Sequence, residues 1–221
     1  MSNRRRPAAE AGRSPSGRRR RNQSEPFKTF DLESMSGAIR DFLESAGIDL
    51  SRPQLSGTPD RVARAWSEEF LDGYRADPAS ILRDSFDAGA GGSKRASRMV
   101  LVKAVPFHGL CPHHLLPFHG VAHIAYLPDG KLAPLSALVR LVDCFAHRLE
   151  VQETVTRQVA ESLVQQLKAK GAAALLESEQ TCMTLRGVKR RGSRTLTSYF
   201  AGEFASRADL RSEFLRSIGK L

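Results

Sequence analysis

The spacing of apolar residues changes period several times along the chain, and each change marks an element. Ile39, Phe42, Leu43 and Ala46 recur at helical spacing and stop at Gly47, which predicts a helix from about residue 33. Thr58 and Pro59 read as an N-cap with proline at the first helical position. Val62, Ala65, Trp66 and Phe70 then share one face, and Gly73 is the stop. The first third of the chain is therefore helical.

Residues 86–97, rich in Gly, Ala and Ser, predict a flexible connector. Beyond it, 98–107 and 118–127 read as strands, with a turn at Pro128-Asp129-Gly130. Two helices follow: 134–149, with Leu135, Leu138, Val139, Val142, Phe145 and Leu149 on its stripe, and 152–170, ended by Gly171. Strand-like runs at 173–178, 181–188 and 194–200 and a last helix at 207–218 complete the pattern. Strands, a helical pair and more strands predict an α+β fold of antiparallel hairpins around the helices.

Composition changes this picture mainly at the N-terminus. The formal charge of +10 is concentrated there: residues 1–22 hold eight arginines against the single acid Glu10, a surplus of seven, so the rest carries +3. With almost nothing apolar to bury, residues 1–25 are expected to form a disordered Arg-rich tail. Its arginines offer phosphate contacts to nucleic acid or an anionic surface. No aromatic is interleaved to stack on bases, and a solvated extension without a specific partner is the plainer reading. A helical region over 26–85 and an α+β domain over 98–221 follow. No apolar run reaches the length of a membrane span or follows the arginines as a secretory signal would require. The chain has only three widely spaced cysteines, which argues against a disulfide framework and for a reducing, cytoplasmic setting.

The candidate chemistry lies in Cys111-Pro112-His113-His114, answered far downstream by Cys182. Two thiols and an imidazole can fill three corners of a zinc tetrahedron and leave the fourth for water, the arrangement of a catalytic site. Five of the six histidines (His108, His113, His114, His119, His123) fall within sixteen residues that include Cys111. Such clustering suits a metal or proton-transfer site better than scattered core positions. Spacing alone leaves open a free, buried cysteine beside core histidines. Cys144, among the apolar residues of a helix, is expected to pack in the core.

The motifs Cys111-Pro112-His113-His114-Leu115-Leu116-Pro117-Phe118, Ala125-Tyr126-Leu127-Pro128, Leu135-Ser136 with Arg140, Val151-Gln152-Glu153, and Cys182 with Arg186-Gly187-Val188 closely resemble GTP cyclohydrolase I in order and spacing. Gly57-Thr58-Pro59-Asp60-Arg61-Val62-Ala63 upstream and Thr195-Leu196-Thr197-Ser198 downstream resemble it too, so the likeness covers roughly residues 33–218. It implies a tunnelling fold, a four-stranded antiparallel sheet with two helices per subunit, preceded by the helical region. It also implies a homo-oligomer, typically a toroidal decamer, with active sites at subunit interfaces. The implied reaction is zinc-dependent hydrolytic opening of the GTP imidazole ring, release of formate and formation of 7,8-dihydroneopterin triphosphate, the first step of pterin and folate biosynthesis.

Carried over by motif, Cys111, His114 and Cys182 bind Zn2+ and His113 is the acid/base group. Gln152 and Glu153 read the guanine edge, Arg140 and Arg186 hold the triphosphate, and Ser136 is a further substrate-binding residue. Three positions depart from the family pattern. Gln180 stands where a second catalytic histidine is usual, and a carboxamide orients groups but carries no proton at neutral pH. Ala137 replaces a phosphate-binding lysine, and Pro112 an acidic residue. The alternative these departures raise is a divergent paralogue that stops at the ring-opened formylaminopyrimidine nucleotide or uses another purine nucleotide. A third reading, from a different class, is a non-catalytic assembly that keeps zinc for stability.

Overall fold

A computed structural model describes residues 29–87 and 99–220. The Arg-rich tail over 1–25 and the connector from 88 to 97 lie outside the described residues.

Helix α1 (Leu32–Ser45) opens where the Asp31 carboxylate accepts from the Ser34 amide at 3.0 Å, a side-chain cap. Its apolar stripe meets little of the protein: Phe42 is 70% exposed, and the one buried residue is Ser36, whose hydroxyl donates to Asp60 at 2.5 Å. Helix α2 (Thr58–Ala65) carries Asp60, with Gly57 as its N-cap. Thr58 is thus the first helical residue and Pro59 the second, so the helix opens one residue earlier than the sequence predicts. The helix also ends earlier, passing into a π turn at Trp66–Phe70 and a 3-10 turn at Asp72–Tyr74. Gly73 is required by close approach: a Cβ there would sit 2.7 Å from the carbonyl oxygens of Cys144 and His147. A short helix α3 (Pro78–Ile81), capped by Asp77, closes the helical region.

Phe86 and Asp87, expected in the connector, form strand β1 (Phe86–Asp87). It pairs with the short strand β4 (Lys131–Leu132) in a two-stranded antiparallel ribbon. The main sheet is four-stranded and antiparallel. Its strands are β2 (Val100–Leu110), β3 (Pro117–Leu127), β5 (Gly171–Gln180) and β6 (Thr195–Gly202), in the order β2-β3-β5-β6. Helices α4 (Leu135–Ala146) and α5 (Gln152–Gln165) cover one face, where Phe118, Ile124, Tyr126 and Leu176 meet Leu138, Leu141 and Leu163. Cys144 is buried in α4, and burial pushes its thiol up to about 11.

The strand expected at 181–188 does not form. After Gln180 the chain turns into a single helical turn, α6 (Thr181–Thr184), closed by the Leu185 amide on the Thr181 carbonyl at 3.0 Å. The residues up to Arg194 form a loop that includes left-handed backbone at Gly187, Lys189 and Gly192. Leu185 and Val188, 69% and 60% exposed, find no apolar face there, and the cations among them prefer water. Past β6, helices α7 (Glu203–Ser206) and α8 (Ala208–Ser217) cover the other face, where Phe204 and Phe214 pack on Leu127 and Leu175. Strand β5 is therefore buried on both sides.

The helical region is anchored where α4 ends. His147 Nδ1 pairs with Asp72 at 2.7 Å, and the Arg148 guanidinium donates to the carbonyls of Gly73 and Ala76 at 3.0 and 3.1 Å. This anchor lies at the end of the sheet where β2 leaves and β3 begins.

Candidate functional site

The β2–β3 connection is a tight loop. The Cys111 amide donates to the Leu116 carbonyl and the Leu115 amide to the Cys111 carbonyl, both at 2.9 Å, with Leu115 left-handed at φ 54°. This turns Cys111 inward, where it is buried, while His113 and His114 stay exposed. Because β5 pairs with β3 as Gln180 opposite Phe118, the turn α6 that leaves β5 carries Cys182 back beside Cys111.

One ligand atom from each of Cys111, His114 and Cys182 lies within 4.8 Å of the other two, and Cys111 Sγ is 3.9 Å from His114 Nδ1. Tetrahedral zinc with ordinary bond lengths holds such atoms about 3.5–3.8 Å apart, so a small inward movement completes the set. Partial burial, then the neighbouring Cys111, push the Cys182 thiol above its ordinary range. A divalent cation between the two thiols would offset that rise and stabilise the Cys182 thiolate. The donors thus fit zinc by distance and by chemistry. His113 lies just outside the set, its Nδ1 3.7 Å from Cys111 Sγ.

Beside these donors is a cleft of about 200 Å³ whose walls include Cys111, His113, Phe118, Glu153, Gln180 and Cys182. Helix α5 begins at this cleft, so Gln152 and Glu153 arrive as its first two residues. The two diverge. Gln152 is 3% exposed, and its carboxamide is spent inside the protein on Leu176, Thr195, Thr197, Ser178 and Gln180. Glu153 has no such commitment and lines the cleft.

Ser136, Arg140 and Arg186 are exposed and do not line this cleft. Arg186 is close enough to Cys182 for its charge to oppose the rise in that thiol's pKa. Ser136 and Arg140 sit in the first half of α4, which starts at the far end of the sheet. Only the far end of α4 approaches the site, through the bridge between Leu110 and Leu149. His119 and His123 are no substitutes for a second cleft histidine. Side chains alternate along β3, so both lie on the face opposite Phe118, and His123 Nδ1 accepts from the Ala104 amide at 3.3 Å. Sequence reasoning missed Ser178, Thr156 and Thr197. Ser178 was detectable in principle, as the one hydroxyl in a strand otherwise buried and apolar on its helix-covered face.

An antiparallel four-stranded sheet roofed by two helices, with a Cys/His/Cys donor set and an acid-lined cleft at one end, defines a tunnelling-fold enzyme with an open three-donor site. A family model described as GTP cyclohydrolase I matches residues 35–219. The chain belongs to the GTP cyclohydrolase I family. It is 42% identical over 192 residues to a protein of Ralstonia nicotianae named GTP cyclohydrolase 1, covering 86% of this chain and 88% of that one. It is 43% identical over 193 residues to the protein of that name from Corynebacterium glutamicum, covering 86% and 95%. To that from Mycobacterium bovis it is 41% identical over 200 residues, covering 90% and 96%. These matches do not favour the divergent paralogue over an enzyme of the family's own type. Among the described residues no helix is long and apolar enough to cross a membrane.

Proposed function

We propose that the chain is a zinc-dependent GTP cyclohydrolase I that converts GTP and water to formate and 7,8-dihydroneopterin triphosphate, the entry to pterin and folate biosynthesis. The observation that carries this reading is the convergence of Cys111, His114 and Cys182 on one point at the mouth of a cleft lined by His113 and Glu153. Cys111, His114 and Cys182 would hold the metal. Zinc bound there supplies Lewis acidity that makes water a nucleophile near neutral pH.

The other steps belong to the chain's own groups. The Glu153 carboxylate accepts two parallel hydrogen bonds, from the purine N1–H and the 2-amino group, an arrangement that adenine cannot match. This places the imidazole half of the base toward the donor set. His113, next to a ligand and facing the cleft, donates the proton that the ring nitrogen takes up as its bond to C8 breaks. Gln180 supplies no proton, so His113 is the proton-transfer imidazole of the cleft.

A cleft of about 200 Å³ is below the roughly 300–1,000 Å³ usual for small-molecule sites and suits the base alone. Ser136 and Arg140, about 15 Å and about 9 Å back along α4 from its end at Ala146, do not line this cleft. They serve a neighbouring copy. Among the described residues, neither edge of the sheet, β2 or β6, carries a further strand, and open edges pair with other chains. Exposed Met183 lines the cleft, and exposed Leu115 lies in the loop that carries Cys111 and His114. These features support a homo-oligomer, the toroidal decamer of the family, with sites completed across its interfaces.

Chelation tests the metal's part. Dialysis against a strong chelator is expected to abolish GTP consumption, and one equivalent of zinc per chain to restore it. Retained turnover in metal-free protein would refute the proposal.

A further inference from the structure

Behind the cleft, five side chains form a circuit in which almost every hydrogen can be placed. Gln180 Nε2 donates to Gln152 Oε1 at 2.9 Å and to Ser178 Oγ at 3.0 Å. Ser178 Oγ donates to Gln152 Oε1 at 2.5 Å, filling that oxygen's second acceptor site. Gln152 Nε2 donates to the Leu176 carbonyl and Thr197 Oγ1 at 3.0 Å, and shares a longer contact with the Thr195 carbonyl at 3.2 Å. Thr156 Oγ1 donates to the Gln152 carbonyl at 2.7 Å, so the 2.6 Å contact between Thr156 and Thr197 takes its hydrogen from Thr197. Ser178, Thr156 and Gln152 are 0%, 1% and 3% exposed, and a buried network of this kind is rigid only when complete.

The circuit constrains what position 180 can be. Its side chain must offer two donors, to Gln152 and Ser178, and a primary amide does so with one nitrogen. A neutral imidazole has one N–H. A carboxylate would set its oxygens against Gln152 Oε1, as would the inverted amide. The circuit also joins three elements: Gln180 ends β5, Gln152 opens α5 and Thr197 lies on β6. Glu153 is the next residue along α5, one peptide from the fixed carboxamide.

We propose that Gln180 is a positioning residue: through Gln152 it fixes the first turn of α5 and aims the Glu153 carboxylate at the purine edge, so that purine discrimination in this enzyme depends on position 180. The inference rests on Glu153 as the guanine acceptor. It explains how an amide occupies this place without being asked to move a proton.

The test compares Gln180→Ala, Gln180→Glu and Ser178→Ala with the unaltered enzyme on GTP and on inosine triphosphate, which lacks the 2-amino group. Zinc content, melting temperature and formate yield are measured alongside. Each variant is expected to raise KM for GTP about tenfold, the scale of one broken buried hydrogen bond. Each should also narrow the GTP-to-inosine-triphosphate ratio of kcat/KM by about the same factor. Zinc should stay at one per chain and formate should still match GTP consumed. The double variant Q180A/S178A should be little worse than either single one, because both break one network. Unchanged KM and nucleotide ratio would overturn the inference. If such variants accumulated a formyl-retaining nucleotide, the amide would be a catalytic residue; if they only melted lower, the network would be structural. Should Q180A not fold, S178A carries the same test. Failure of the unaltered enzyme to prefer GTP would remove the Glu153 reading and this inference together, whereas preference kept in the variants sinks this inference alone.

Discussion

Cys182→Ala is expected to lower bound zinc from one to below about 0.1 per chain and GTP turnover by at least about a thousandfold. The reason is geometric. Cys111 and His114 both come from the β2–β3 loop, and Cys182 is the only donor of the set from elsewhere in the chain. Without it two donors remain, too few for the three-donor site of a catalytic zinc. The turnover estimate follows from the several kcal/mol that a Lewis-acid metal contributes, at a factor of ten for each 1.4 kcal/mol. Metal analysis and a formate assay on one sample check both halves. A variant that loses turnover while keeping its zinc would show that Cys182 is not a ligand.

His113→Ala is expected to show the opposite pairing. Zinc stays, because His113 lies outside the donor set, while GTP consumption falls by about two to four orders of magnitude, the usual contribution of a positioned acid or base. The His119 and His123 imidazoles cannot compensate, being on the far face of the sheet. Equilibrium binding of GTP should change little, since the substitution leaves the proposed guanine contact, Glu153, and the proposed phosphate contacts untouched. A loss expressed in binding alone, with single-turnover ring opening intact, would reassign His113 to substrate contact.

The donor set was legible in the sequence because metal ligation is narrow in residue type. Cys111, His114 and Cys182 stood out by chemistry even though the backbone expected around Cys182 was incorrect. Residues 181–188 alternate enough to suggest a strand. A strand would have carried Cys182 away from the site; the helical turn α6 and the loop that follows it, with left-handed Gly187, Lys189 and Gly192, keep it there. Periodicity located the main sheet and both roofing helices, since β3, α4 and α5 bury continuous apolar faces. It also located α1, although that helix leaves Phe42 in solvent. Periodicity reports that a face is apolar and not what covers it.

Gln152 was illegible for a different reason. The Gln152-Glu153 pair reads as two polar residues at a helix start. Helical geometry sends one side chain into the protein and the next into the cleft, and only the partners at 176, 178, 180, 195 and 197 show which is which. Ser136, Arg140 and Arg186 were recognised by motif, but that none of them lines the cleft is a property of the fold. For Ser136 and Arg140 it motivates the proposal that they act on a neighbouring copy, whereas Arg186 stays close to Cys182.

The most direct test of the whole account is mass spectrometry of the products formed from GTP by zinc-loaded protein, with formate quantified in parallel. The account predicts 7,8-dihydroneopterin triphosphate and one formate for each GTP consumed. A product equal in mass to GTP plus water, with no formate, would contradict it by showing that an enzyme with Gln180 in its cleft opens the ring and goes no further; unchanged GTP would contradict it outright.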